Sequence, residues 1–206
     1  MSIKLFDTTL RDGTQREGVS LTAEDKARIT RELDSLGVHY IEAGFPASNP
    51  KDLEFFEGFD DSSLSHAKLV AFTRARRPNG RAEDDPAVTL LPSLSAPVAC
   101  IVAKSWKLHV EKVLRTTPQE NLESVRDTVA YLAGKEVIFD AEHYFDGFRH
   151  DPGYALAVLR AAAEAGATTL VLCDTNGGTL PTELKAVVVR TVREFPDVEV
   201  GIHTHN

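Results

Sequence analysis

The chain is poor in cysteine, in positive charge and in long apolar runs, and each shortage excludes something. Only Cys100 and Cys173 occur among 206 residues, both inside apolar stretches. A disulfide scaffold is therefore excluded, and buried reduced thiols in a reducing cytoplasm are expected. Lys plus Arg number 23 against 31 Asp plus Glu, a formal charge of −8. That balance argues against nucleic acid or an anionic membrane as the main partner. No apolar stretch approaches the roughly 20 residues needed to span a bilayer. The opening residues, "MSIKLFDTTLRDG", lack the layout of a signal peptide. Gly13 and Gly18 make no phosphate-binding fingerprint, because no G-x-G precedes a helix start. Internal repeats, low-complexity tracts and interdomain linkers are lacking as well.

What is present is an alternation. Hydrophobic residues at 42% and charged residues at 26% fit a globular chain long enough for one sizeable core. Strands are expected near Ile3–Asp7, His39–Gly44, Lys68–Phe72, Val98–Ala103, Val137–Ala141, Thr168–Cys173 and Val198–His203. Helical patterns lie between them. Thr22 and Asp25 form a capping box ahead of an Ile29, Leu33, Leu36 stripe, with Gly37 at the end. Thr117, Pro118 and Glu120 open a second helix with Leu122, Val125, Val129 and Leu132 inward. Asp151-Pro152 opens a third that Gly166 closes, and Pro181 opens a fourth with Leu184, Val188, Val192 and Phe195 inward. Residues 72–96 read as a long loop with one weak helix.

Strict β-then-α order means parallel strands joined by right-handed crossovers. Seven strands are too many for a flavodoxin-like sheet and one short of a (β/α)8 barrel, which takes about 250 residues. The expectation is an incomplete (β/α)8 TIM barrel, residues 1–206 forming one catalytic domain that stops before the eighth strand. Strands one and seven would then have unpaired edges prone to self-association.

In such barrels chemistry gathers where strands end. Strand one ends in Arg11, Asp12 and Gln15, strand two in Glu42, and strand four in Ser105 and His109. Strand five ends in Asp140, Glu142 and His143, strand six in Asp174, Thr175 and Asn176, strand seven in His203 and His205. Side chains at i and i+2 of a strand share a face, so the two strand-seven imidazoles can converge on one metal ion. Asp12 is a candidate third ligand, since strands one and seven are only two apart around an eight-stranded barrel. Three protein ligands with open positions make a catalytic site. Satisfied or solvent-facing histidines are the competing explanation. Arg11 suits an oxyanion site, while an ion pair between Arg11 and Glu42 or Glu142 would be purely structural. Ser105 and Thr175 serve equally as turn caps or ligand contacts. His39, His66 and His150 should face solvent, and His143 should point away from Glu142. Arg74, Arg76, Arg77 and Arg81 form one basic cluster, either a solvated loop or a contact for an anionic cofactor.

The stretches "FDTTLRDGTQREGVSLTAEDK", "IEAGFPASNPKDLEFF", "FDAEHYFDGF", "CDTNGG" and "GIHTHN" resemble the metal-dependent Claisen-condensing synthases, which make isopropylmalate, homocitrate or citramalate. "TQREG", "DAEHYFDGF" and "DTNGG" resemble the citramalate branch most. The resemblance implies a divalent metal (Mg, Mn, Zn or Co) on Asp12, His203 and His205. It implies Arg11 and Glu142 as catalytic groups, and Arg11, Gln15, Glu42, His109 and Thr175 as substrate contacts. The implied reaction condenses acetyl-CoA with a 2-oxo acid, pyruvate in the citramalate branch, in branched-chain amino-acid biosynthesis, within a cytoplasmic homodimer. Related lyases and carboxyltransferases share a similar barrel, and a catalytically silent fragment or binding module is the alternative outside enzymes. Family members continue beyond a seventh strand, so turnover by this stretch alone is expected to be weak or absent.

Overall fold

The computed structural model describes residues 3–205. The chain divides into two compact units, residues 1–73 with 86–100, and residues 74–85 with 101–206.

The first unit opens with β1 (Phe6–Asp7), a turn, α1 (Ala23–Ser35), β2 (Tyr40–Gly44), α2 (Pro50–Gly58) and β3 (Lys68–Arg74). A short α3 (Pro86–Thr89) follows. β1 runs parallel to β2 and β2 to β3, with Phe6 opposite Tyr40 and Ile41 opposite Leu69. All of β2 is buried, as expected for parallel strands covered on both faces. The register slips between Glu42 and Gly44, leaving Ala43 as a bulge.

The expected capping box forms, with Thr22 Oγ1 accepting from the Asp25 amide and Asp25 accepting from the Thr22 amide. The inward face of α1 differs from the expected apolar stripe. Its fully buried residues are Lys26, Thr30 and Asp34, while Leu36 ends the helix 77% exposed. Spacing of four puts those three polar side chains on one line, and each has a backbone target. Lys26 Nζ donates to the Leu10 and Ala43 carbonyls at 2.8 and 2.7 Å and to Asp52 at 2.5 Å. Asp34 accepts the amides of Ser65, His66 and Ala67 at 2.7–2.9 Å. Ile29 and Leu33 flank this line and pack on a cluster of Leu10, Val38, Ile41 and Ala67.

β4 (Val98–Lys104) carries the boundary between the units, which falls after Cys100. The second unit adds α4 (Lys107–Lys112), α5 (Pro118–Tyr131), β5 (Glu136–Glu142), α6 (Tyr144–His150), α7 (Pro152–Ala165), β6 (Thr169–Asp174), α8 (Pro181–Glu194) and β7 (Glu199–Thr204). β5, β6 and β7 are parallel neighbours in that order. Thr117 and Asp151 cap α5 and α7 as expected, and Gly166 closes α7 at φ 112°, a left-handed geometry that suits glycine. Tyr144, Phe139, Phe145 and Ile138 are among the largest fully buried side chains. α8 is rotated from its expected pose: Val187, Thr191 and Phe195 are buried, whereas Val192 is 43% exposed. The hydroxyl of Thr191 bonds that of the buried Tyr144 at 2.9 Å, which favours the rotation.

Residues 72–96 are more ordered than a loop. Arg74 makes two bonds to Asp85 at 2.8 and 3.0 Å, and Arg76 pairs with Glu120 and Asp127. Arg81 pairs with Glu83. Three of the four arginines of the basic cluster are thus engaged in structural ion pairs. No helix among the described residues is long and apolar enough to cross a membrane.

Candidate functional site

In the first unit the chain turns sharply after β1. The Thr8 carbonyl accepts the amides of Arg11, Asp12 and Gly13 at 2.8–3.1 Å. With Lys26 on the Leu10 carbonyl, the backbone either side of Arg11 is held from two directions. Arg11 Nε then donates to Glu42 at 2.5 Å and Nη1 to Asp12 at 3.0 Å. Its guanidinium lies 4.1 Å from the centre of the Phe72 ring, which in turn meets Phe45 edge-on. Burial alone would lower the Arg11 pKa, and the Glu42 carboxylate outweighs it, so the guanidinium stays charged. Burial pushes the Glu42 carboxyl up, and Arg11 opposes that rise. Glu42 is fully buried, and its Oε1 has no hydrogen-bond partner among the described residues. Arg11, Asp12 and Glu42 are therefore brought together here. Gln15 sits on the following 3-10 turn with an exposed side chain and stays outside this group.

In the second unit β4 and β5 end side by side. Lys104 Nζ pairs with Glu142 Oε2 at 2.5 Å, both about three-quarters buried. The Ser105 amide and hydroxyl both donate to the Glu142 carbonyl, at 3.2 and 2.7 Å. Asn121 Nδ2 donates to the Lys104 carbonyl at 2.9 Å. Gly147 allows α6 to approach: a Cβ there would stand 2.4 Å from the Ser105 carbonyl oxygen. Lys104 is thus the partner of Glu142, and Arg11 that of Glu42. Sequence reasoning passed over Lys104, although an ammonium ending an otherwise apolar strand was a legible signal.

His143 turns to Asp146 and His109 rather than to Glu142. It takes a left-handed backbone, φ 55° and ψ 36°, rare for a residue with a side chain. Its amide donates to Thr175 Oγ1 at 2.9 Å, and its ring meets Asp146 at 3.1 Å. Asn176 bonds the same Asp146 oxygen. The His143 ring stands edge-on to His109 with centroids 4.4 Å apart, and Trp106 lies 4.7 Å from His109. Burial, then the neighbouring His143 and Lys104, hold the His109 pKa below the ordinary imidazole range, so it is neutral at pH 7. His109, Glu142 and Thr175 therefore share one strand-end cluster, and His143 and Asp146 join it.

His203 and His205 close β7 with ring centroids 4.8 Å apart, His203 half-buried and His205 exposed. The sheet register explains their common side. Cys173 is opposite His203 and Asp174 opposite Thr204, so Asp174 turns to the other face. There it is buried and accepts the Thr179 amide at 3.0 Å. His39, His66 and His150 are exposed as expected, and Cys100 and Cys173 are buried thiols.

The chain is 51% identical over 206 residues to an (R)-citramalate synthase of Aquifex aeolicus, spanning 99% of this chain and 39% of that protein. It is 39% identical over 209 residues to a 2-isopropylmalate synthase of Leptothrix cholodnii, spanning 98% of this chain and 39% of the relative. The chain thus spans about two-fifths of the length of the curated relatives it matches. Among solved structures, the HMG-CoA lyase of Bacillus subtilis superposes with a TM-score of 0.80 at 20% identity, covering 99% of this chain and 68% of that one. That likeness gives the fold: an incomplete TIM-barrel-like architecture with seven strands. A family model described as HMGL-like matches residues 2–206, and the chain belongs to the HMGL-like family.

Proposed function

We propose that the protein carrying this chain condenses acetyl-CoA with a 2-oxo acid, pyruvate in the first instance, and hydrolyses the thioester to release CoA and citramalate. The observation that carries this reading is the His203/His205 pair, two imidazoles on one side of β7 in an HMGL-like chain. The choice of pyruvate rests on the names of relatives at 43–51% identity, each an (R)-citramalate synthase.

In this reading Asp12 joins His203 and His205 to hold a divalent metal (Mg, Mn, Zn or Co). Two imidazoles and one carboxylate fit such an ion and leave positions open for substrate. The metal, when bound, supplies Lewis acidity to the ketone of the 2-oxo acid. Arg11 places a permanent positive charge where oxyanion character develops, and Glu42 with Phe72 fixes the direction of its guanidinium. Thr175 accepts the His143 amide, which leaves its own O–H to donate to the substrate carboxylate. Glu142 is the active-site carboxylate, Glu42 backs Arg11 from beneath the site, Gln15 would reach the substrate from the exposed turn after β1, and His109, held neutral, lines the wall. The chain is the catalytic-barrel part of a longer cytoplasmic homodimer in branched-chain amino-acid biosynthesis.

The test is release of free thiol from acetyl-CoA by the complete protein, with pyruvate, 2-oxoisovalerate and 2-oxoglutarate in parallel. Release with pyruvate alone supports the reading. An even response to all three overturns the choice of acid, and no release with any of them overturns the reaction.

A further inference from the structure

The register of the second unit sets a sulfur beside the histidine pair. Cys173 on β6 lies opposite His203 on β7. Asp140 on β5 lies opposite Val171, two residues before Cys173, so Asp140, Cys173 and His203 share one face of the sheet. A carboxylate oxygen, the thiol sulfur and an imidazole nitrogen all lie within 4.8 Å of one another. Asp140 and Cys173 are 6% and 7% exposed, and His203 is half-buried.

We propose that Asp140, Cys173 and His203 form a second cation site, selective for a thiophilic divalent ion such as Zn2+ or Cd2+ and sharing His203 with the histidine pair. Tetrahedral bonds of about 2.0–2.3 Å set ligand–ligand separations of about 3.3–3.8 Å. From separations of up to 4.8 Å, the three donor atoms therefore need to close by about 1.5 Å at most. Three protein ligands leave one open position. The sulfur gives the selectivity: thiolate favours Zn2+ and other soft ions, whereas carboxylate and water suit Mg2+ and Mn2+. Binding takes the thiol proton off Cys173 into solvent, while His203 binds neutral and Asp140 as carboxylate. His203 is common to both groups, so a thiophilic ion held by Cys173 and Asp140 competes with the histidine pair for this imidazole. The site itself stands on this geometry alone. Its effect on turnover, inhibition by Zn2+ or Cd2+ that excess Mn2+ relieves, rests on the function proposed above.

The experiment titrates the purified protein with Co2+, followed by Cd2+ as competitor, and records the thiolate-to-cobalt charge-transfer absorption. The parent and Cys100→Ala are expected to show the band, and Cys173→Ser to lose it. Losing a direct ligand should weaken Cd2+ binding at least as much as losing an outer-shell partner, roughly 10–100-fold. Cobalt binding without a thiolate band, or a band that survives Cys173→Ser, overturns the proposal. Should Cys173→Ser fail to fold, His203→Gln decides with both sulfurs intact. Its unchanged band would overturn the proposal, and its loss would support it. His205→Ala separates the two readings, since it should abolish Mn2+ binding and leave Cd2+ binding in place. A parent that binds Cd2+ with the thiolate band but no Mn2+ sinks the proposed function alone.

Discussion

The strand ends of the two units handle charge in opposite ways. In the first, Lys26 and Asp52 are both nearly inaccessible, and besides each other they bond backbone: the Leu10 and Ala43 carbonyls and the Phe45 amide. In the second, Lys104 and Glu142 remain about a quarter exposed and bond each other. The buried pair fixes a path of the chain, including the carbonyl of the bulged Ala43. The partly exposed pair leaves its side chains within reach of solvent. The first unit also brings Arg11, Asp12 and Glu42 together, so the contrast is between these two lysine pairs, one closed to solvent and one partly open.

The sharpest way to break that contrast is to remove one ammonium at a time. Lys26→Met leaves Asp52 buried without its cation and should cost about 3–5 kcal/mol in urea unfolding. A loss below about 1 kcal/mol would remove the distinction. Next come the two glycines that permit close approach. In Gly44→Ala the new Cβ would stand 2.4 Å from Asp52 Cγ, and in Gly147→Ala 2.4 Å from the Ser105 carbonyl oxygen. Both obstacles are pinned, so each variant should lose about 1–3 kcal/mol. Melting curves matching the parent would show that the neighbours yield. Lys104→Met should cost under about 1 kcal/mol, because a partly solvated pair contributes little. Thiol release by the complete protein should nevertheless fall at least tenfold, and retained activity would place Lys104 outside the chemistry.

The smallest effect belongs to Asp34. Burial pushes its carboxyl up, but the amides of Ala67, Ser65 and His66 outweigh this and hold it below the ordinary range. The folded value lies under the unfolded one of about 3.9. Its contribution is therefore complete above pH 4 and lost as pH falls through the lower folded value. The stability gap between parent and Asp34→Asn should narrow below pH 4, and a constant gap from pH 7 to 3 would exclude this origin.

The order of elements was legible because parallel strands and capped helices write local signals. The runs at Tyr40–Gly44 and Val98–Lys104 are apolar and β-rich, and Thr22, Thr117 and Asp151 mark helix starts. The rotation of α1 was not legible. Ile29 and Leu33 announced an apolar face, whereas Lys26 and Asp34 are driven inward by backbone groups far away in sequence, with Thr30 buried between them on the Lys26 carbonyl. The partners of the carboxylates were hidden for the same reason. Nothing local to Glu142 says that Lys104 lies beside it, or that the His143 amide meets Thr175 across 32 positions.

By itself the sequence determined which residues could carry chemistry and on which strand ends they stand, since period-two alternation and strand–helix order are local properties. Tertiary structure alone decided who pairs with whom: Arg11 with Glu42, Lys104 with Glu142, His109 with His143, Cys173 opposite His203. Those pairings depend on register between strands and on the price of burying charge, and both are settled only when distant segments pack.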